Sequence, residues 1–292
     1  MSAFAGRTIL VSGATRGIGL AIAVRLAREG ARIALLGKTT HPHPKLPGTL
    51  AEAASAVEAA GGRALPLVCD IRDEQAVAAA VARTVETFGG VDAVVNNASA
   101  ISLTGTLETP LKRFDLMTGV NSRGTYAVTQ ACLPHLLKAE RPHVLTLAPP
   151  LDCAPKWFAG HPAYSLAKYG MSLLTMGWAA EFAGRVACNC LWPRTGIDTA
   201  AIRNLLGGAE AAARCRKPEI VADAAAALLA KPLDVTGWCA LDDLVLAAEG
   251  VTDFDAYAVT PGADLFPDFF VPDSAPAPAA ANGVIGWRAP ML

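Results

Sequence analysis

Residues 7–12, RTILVS, form a nearly unbroken apolar run that leads without a spacer into Gly13-Ala14-Thr15-Arg16-Gly17-Ile18-Gly19. Such a run reads as a strand buried on both faces. Residues 18–29 then carry apolar side chains at helical spacing, and Gly30 stands where it can end the helix. Strand, glycine turn and helix in direct succession open a strand–helix–strand unit, which demands a parallel sheet covered on both sides. That requirement excludes most other folds.

The same rhythm continues down the chain. Strands are expected at 32–36, 64–68, 91–96, 143–147, 185–191 and 238–241. Helices are expected at 49–60, at 73–88 with Asp73 as N-cap, at 110–138 with irregularity near Gly119 and Gly124, at 163–182 and at 217–230. The segment 40–48, THPHPKLPG, is a proline-rich loop. The fold class is therefore α/β: a single doubly wound (Rossmann) domain over 1–271, its central parallel sheet flanked by helices on both faces. The remaining 272–292, with SAPAPAAANG, is poor in core-forming residues and is expected to wrap a surface or stay mobile.

Composition narrows the function. The 292 residues are 52% hydrophobic, enough for one large core. With 25 Lys and Arg against 26 Asp and Glu, the charge balance gives no reason to expect nucleic acid or an anionic membrane as partner. No stretch approaches the roughly 20 apolar residues of a membrane span, and the opening residues lack a signal-peptide pattern. Seven scattered cysteines, an odd number, read as buried thiols in a reducing compartment. The expectation is a cytoplasmic protein acting on a small molecule. His41-Pro42-His43 has no carboxylate near it and lies between prolines, and His161 stands alone, so no metal is expected.

The glycine turn lets backbone approach a pyrophosphate, and the helix behind it offers free N–H groups and a positive dipole end. At the end of the second strand an acid usually binds the ribose 2′-hydroxyl of NAD. Here the chain reads Gly37-Lys38-Thr39-Thr40. Lys38 and Arg16 can bracket a 2′-phosphate instead, so NADP(H) is favoured over NAD(H). Further on, Tyr164-Ser165-Leu166-Ala167-Lys168 puts a phenol and an ammonium one helical turn apart. An adjacent ammonium favours the phenolate and pulls the tyrosine pKa down from about 10. Tyr164 can then exchange a proton with a carbonyl or alcohol oxygen.

The spacing Gly13-x-x-x-Gly17-x-Gly19, together with the Tyr164/Lys168 pair, resembles the short-chain dehydrogenase/reductase family. The resemblance implies that Gly13, Thr15, Arg16, Gly17, Ile18, Gly19 and Lys38 hold the nucleotide. Asp70 and Ile71 would lie beside the adenine, Asp70 reading equally well as a helix N-terminal acid. Asn96-Asn97-Ala98-Ser99 matches the family's Asn-Asn-Ala-Gly in three of four positions, with Asn97, Ala98 and Ser99 against the cofactor. Asn121 matches its supporting asparagine. Pro193, Thr195 and Ile197 occupy the Pro-Gly…Thr element beside the nicotinamide, with Arg194 where glycine is usual.

Residues 38–49, 96–103 and 191–200 are similar more closely to the hydroxysteroid dehydrogenase-like 2 branch and to bacterial citronellol or citronellal dehydrogenases. This likeness covers about 6–270. It implies a lipophilic alcohol, aldehyde or ketone as substrate, a lid over 194–216, aromatic residues Trp157, Phe158, Trp178 and Trp192 near the pocket mouth, and a homodimer or homotetramer packed through 110–138 and 163–182.

One departure stands out. The family's serine lies thirteen residues before the tyrosine, where this chain has Leu151, and Ala148 stands where the branch reads serine. Losing such a donor costs about 10²–10³ in rate. Either Thr146 or Asp152 replaces it, or the chain binds nucleotide with weak or no catalysis. Enoyl or dienoyl reduction is a third reading.

Overall fold

A computed structural model describes residues 2–42, 46–205 and 207–288. The strands are β1 (Thr8–Ser12), β2 (Arg32–Gly37), β3 (Arg63–Val68), β4 (Ala93–Asn96), β5 (His143–Leu147), β6 (Ala187–Trp192), β7 (Trp238–Leu241) and β8 (Gly286–Arg288). They form one sheet in the order β3-β2-β1-β4-β5-β6-β7-β8. Every neighbouring pair from β3 to β7 is parallel, and β8 runs antiparallel to β7. Winding reverses between β1 and β4. At such a reversal the loops that follow the two strands part and leave a crevice at their carboxyl ends.

Alternation along each strand builds two cores. Ile9, Val11, Ile33, Leu35, Val95 and Leu145 face one side, where α1 (Gly17–Ala27), α2 (Leu50–Ala59), α9 (Glu219–Leu229) and α10 (Asp242–Ala248) pack. Leu10, Ala34, Leu36, Val94 and Val144 face the other, covered by α3 (Glu74–Phe88), α5 (Thr125–Leu136) and α6 (Pro162–Glu181). Because both faces are buried, the strands read as continuous apolar runs. Pro66 lies in β3, the edge strand, where a missing N–H is tolerated. Thr49 and Glu52 form a reciprocal capping box that starts α2. No helix among the described residues is long and apolar enough to cross a membrane.

Three details differ from the sequence expectation. The helix across 110–138 is two helices, α4 (Leu111–Thr118) and α5, joined by a π-helical turn at Gly119–Gly124. The irregularity falls between the two glycines that marked it. Second, the tail supplies β8. Ile285 is buried, and Arg288 donates to the Thr236 carbonyl (3.1 Å) and lies over the Trp238 ring. Third, the 194–216 region expected to be a lid contains two short helices, α7 (Ala200–Leu205) and α8 (Gly208–Ala213). Ile202 and Ala212 pack with Cys215 against Val259 and Phe266. All seven cysteines are free, and only Cys153 is exposed.

Candidate active site

The glycine turn follows β1, and the Asn97 loop follows β4, so both lie at the reversal point. Ser12 Oγ accepts from the backbone N–H groups of Asn97 and Ala98 (both 3.1 Å). Asn97 Nδ2 donates to the carbonyls of Ser12 and Gly13 (both 3.0 Å). This packing explains the glycines. A Cβ at Gly13, whose φ is +64°, would lie 2.8 Å from Ala98 Cα, and one at Gly19 would lie 2.4 Å from Asn97 Nδ2. Arg16 is the N-cap of α1 and contributes no side-chain cap, which leaves the N–H groups of Gly17, Ile18 and Gly19 available to an anion. Ser99, two residues beyond Asn97, is exposed.

The groups expected at the adenosine end meet one another. Asp70 accepts from Arg72 (Nη2, 2.6 Å) and from Lys38 Nζ (3.1 Å). Hydrogen bonds from Arg72 hold its carboxyl well below the usual carboxylate range, with Lys38 adding to the effect. Lys38 keeps 58% of its side-chain surface exposed. Arg16 Nη2 donates to Thr39 Oγ1 (2.8 Å) and to the Gly48 carbonyl (2.9 Å), while its buried Nε has no partner. Gly37 makes room for Thr15, whose methyl would lie 2.7 Å from a Cβ there. Ile71 is buried against Gly124 of the π-helical turn. His43 lies outside the described residues, and His41 is exposed.

Across the crevice, α6 begins at Pro162 behind its N-cap His161. Tyr164 is 6% exposed and Lys168 3%. Lys168 Nζ donates to the Leu147 carbonyl at the end of β5 (2.6 Å) and sits 4.8 Å from the Trp192 ring centroid. Burial lowers Lys168 to about 8. The tyrosine departs from expectation. Burial pushes its phenol above the ordinary value, and the charge of Asp268 pushes it further. The sequence showed the neighbouring ammonium but could not show desolvation, which dominates here.

Asn121, fully buried in the π-helical turn, accepts from the Ala100 N–H (2.8 Å) and donates to the Ala100 carbonyl (3.1 Å). It thereby ties the Asn97 loop to the helical layer. Ser122 donates to the Ala167 carbonyl (3.0 Å), fixing the same turn against α6 beside Lys168. Pro193 and Ile197 are buried, and Thr195 Oγ1 is buried without a partner.

Neither candidate replacement for the serine bonds to Tyr164. Thr146 Oγ1 accepts from Thr175 (2.8 Å), three helical turns or about 16 Å beyond the tyrosine. The Asp152 carboxylate accepts from Ala154 N–H (3.0 Å) and Trp157 Nε1 (2.8 Å). Ala148 is buried among Met171, Cys190 and Cys239. Of the four aromatics, Trp157, Phe158 and Trp192 cluster with Tyr164. Trp178, fourteen residues along α6, packs in the core beside Tyr126 instead. Sequence reasoning missed the 268–270 segment, where Phe270 packs on Tyr164 (6.1 Å between centroids) and Trp192 (6.0 Å). No motif marks it.

The unpartnered Arg16 Nε and Thr195 Oγ1, and a turn that cannot admit side chains at Gly13 and Gly19, fit a dinucleotide lying across the strand ends. Sheet, turn and helix are those of a doubly wound nucleotide-binding domain. A model of the family described as short chain dehydrogenase matches residues 7–206. Hydroxysteroid dehydrogenase-like protein 2 of Danio rerio is 55% identical over 267 residues, 91% of this chain and 64% of that protein. The crystal structure of a short chain dehydrogenase from Mycobacterium thermoresistibile superposes with a TM-score of 0.88 at 55% identity, covering 93% of this chain and 97% of that one. A metagenomic short-chain oxidoreductase solved in complex with NADP superposes at 0.66, with 25% identity, over 80% of this chain and 96% of that one. The chain belongs to the short-chain dehydrogenase family, and it spans about 64% of the length of the curated zebrafish relative.

Proposed function

We propose that this chain is an NADP(H)-dependent oxidoreductase that interconverts a lipophilic alcohol and its aldehyde or ketone. The observation that carries the reading is that Tyr164 and Lys168 share α6, with Lys168 bonded to the carboxyl end of β5, the neighbour of β4 whose following residue Asn97 locks the glycine turn. The turn from Gly13 to Gly19 would hold the pyrophosphate, Asp70 and Ile71 the adenine, Arg16 and Lys38 the 2′-phosphate, and Thr195 and Ile197 the carboxamide. When bound, the nicotinamide supplies or accepts the hydride. Tyr164 donates its hydroxyl proton to the carbonyl oxygen in reduction and accepts it back in oxidation, with Lys168 stabilising the phenolate. Trp157, Phe158 and Phe269 around Tyr164 give the pocket an apolar wall, which suits a lipophilic substrate. The cofactor choice rests on Lys38 and Arg16 at the end of β2 and in the glycine turn, where no acid stands to hold a ribose 2′-hydroxyl.

The same reading places the protein in the cytoplasm as a homodimer or homotetramer. The exposed Leu166 and Leu173 on α6 and Tyr126 on α5 support that assembly. A second reading, a nucleotide-binding homologue with weak catalysis, is favoured by Ala148 at the serine position.

The test is NADPH oxidation with a panel of medium-chain aldehydes. Tyr164→Phe is expected to lower turnover about 10²–10⁴-fold with nucleotide binding retained. Nucleotide binding without turnover of any carbonyl by the unmodified protein would select the second reading.

A further inference from the structure

A segment from a distant part of the chain, carrying Asp268, packs against the acid–base pair. Asp268 lies beyond α10, in a segment lashed to the loop that follows β6. Asp268 N–H donates to the Arg194 carbonyl (2.9 Å), Gly196 N–H donates to the Phe266 carbonyl (3.1 Å), and Pro267 bridges Thr195. Trp192 Nε1 donates to the Phe269 carbonyl (2.7 Å), and the same indole carries the Lys168 ammonium. Phe270 adopts a left-handed φ of +68° while fully buried. Such a conformation is strained and persists only where packing over-determines it. Here that packing is the contact of its ring with Tyr164, Trp192 and Tyr169. The segment is therefore fixed relative to the reacting groups. Asp268 Oδ1 accepts from Phe269 N–H (2.7 Å), and the residue lines a cavity with Trp157, Arg194, Phe269 and Val271.

We propose that Asp268 is a positioning acid that sets the protonation of Tyr164 and Lys168 in a site whose serine is replaced by Ala148. The catalytic consequence rests on the oxidoreductase reading above. The charge of Asp268 raises both Tyr164 and Lys168, keeping the lysine an ammonium and the tyrosine a phenol until substrate arrives. Asp242 on α10, Arg194 on the β6 loop, Cys215 after α8 and Asp273 across the cavity stand around Asp268, while His161 lies edge-on to Tyr164 (6.2 Å between centroids) and Cys190 acts on Lys168. Burial, with Asp242 adding, pushes Asp268 up to about 7 against the opposing pull of the Phe269 N–H and Lys168. The carboxyl thus changes charge within the working pH range. In an aqueous loop it would not.

Asp268→Asn keeps the acceptor for Phe269 N–H and removes the charge. Tyr164 and Lys168 should then both lose their protons at lower pH. In alcohol oxidation with NADP, the limb of kcat/KM that rises as Tyr164 ionises is expected to move about one pH unit toward acid. Asp268→Glu should restore it in part. Tyrosinate absorbance, taken as the difference between each protein and its Tyr164→Phe counterpart, should shift in the same direction without any turnover. Should both titrations of the folded Asn variant superimpose on those of the unmodified protein, the assignment is overturned. Should no alcohol or carbonyl be turned over, the oxidoreductase reading fails and the absorbance titration still decides the role of Asp268.

Discussion

The two sides of the crevice are built by different means. The nucleotide side, after β1 and β4, presents backbone: the Ser12 and Asn97 side chains pin the two loops to each other, and glycines remove the side chains that would intrude. The acid–base side is made of side chains drawn from α6, β6 and the 268–270 segment, packed into a buried cluster with strained backbone at Phe270. A phosphate-binding surface needs fixed N–H dipoles, which backbone supplies at no cost in proton affinity. Proton transfer needs groups whose affinity has been moved, and burial moves it. The turn of the rigid half is written in consecutive residues and locked by Asn97 85 residues on, whereas the tuned half depends on packing throughout.

The sharpest way to break this contrast is Gly19→Ala. The new Cβ would meet the Gly13 carbonyl at 2.5 Å as well as Asn97 Nδ2, and a backbone oxygen has little room to yield. The expected cost is about 3 kcal/mol in stability, from overpacking, with NADPH binding lost in titration calorimetry. Near-normal binding would show that the turn is not the rigid element described. Asn121→Ala ranks next, because Asn121 joins the halves. Stranding the Ala100 N–H and carbonyl should cost about 2 kcal/mol by chemical denaturation. Nucleotide affinity and Tyr164-dependent turnover should fall together. A loss confined to one of them would mean that the two sides work independently.

The same contrast explains what could be read in advance. The glycine turn, the strands at His143–Leu147 and Trp238–Leu241, the Asp73 cap and the break between Gly119 and Gly124 are each written in a few consecutive residues. Tyr164 and Lys168 were legible as a pair because helical spacing puts them on one face. Their proton affinities were not, since these depend on burial under Trp192 and Phe270 and on the charge of Asp268, which come from elsewhere in the chain. Trp178 was misplaced for a related reason: fourteen residues along one helix is about 21 Å, far beyond a pocket at its first turn. Strand β8 was hidden because pairing needs only three residues there, in a tail whose composition signals no core. Its anchors, Ile285 and the Arg288 stack on Trp238, become visible only when β7 is beside them.

The smallest expected effect tests the exposed rim of the nucleotide side, where neither backbone rigidity nor burial operates. Lys38 bonds to Asp70, yet Arg72 already satisfies that carboxylate. The lysine is therefore free to turn to a 2′-phosphate without stranding an acid. Lys38→Asp removes this donor and sets a like charge beside Asp70. Because the lysine is largely exposed, the stability change should stay under about 1 kcal/mol. NADPH affinity should fall about tenfold, the scale of one charge-assisted contact to phosphate, while NADH affinity changes little. Raising salt should narrow the gap, since exposed charges are screened over about 8 Å at physiological ionic strength. Equal affinities for the two nucleotides before and after the substitution would remove Lys38 from cofactor choice and leave Arg16, with its unpartnered Nε, as the group to examine.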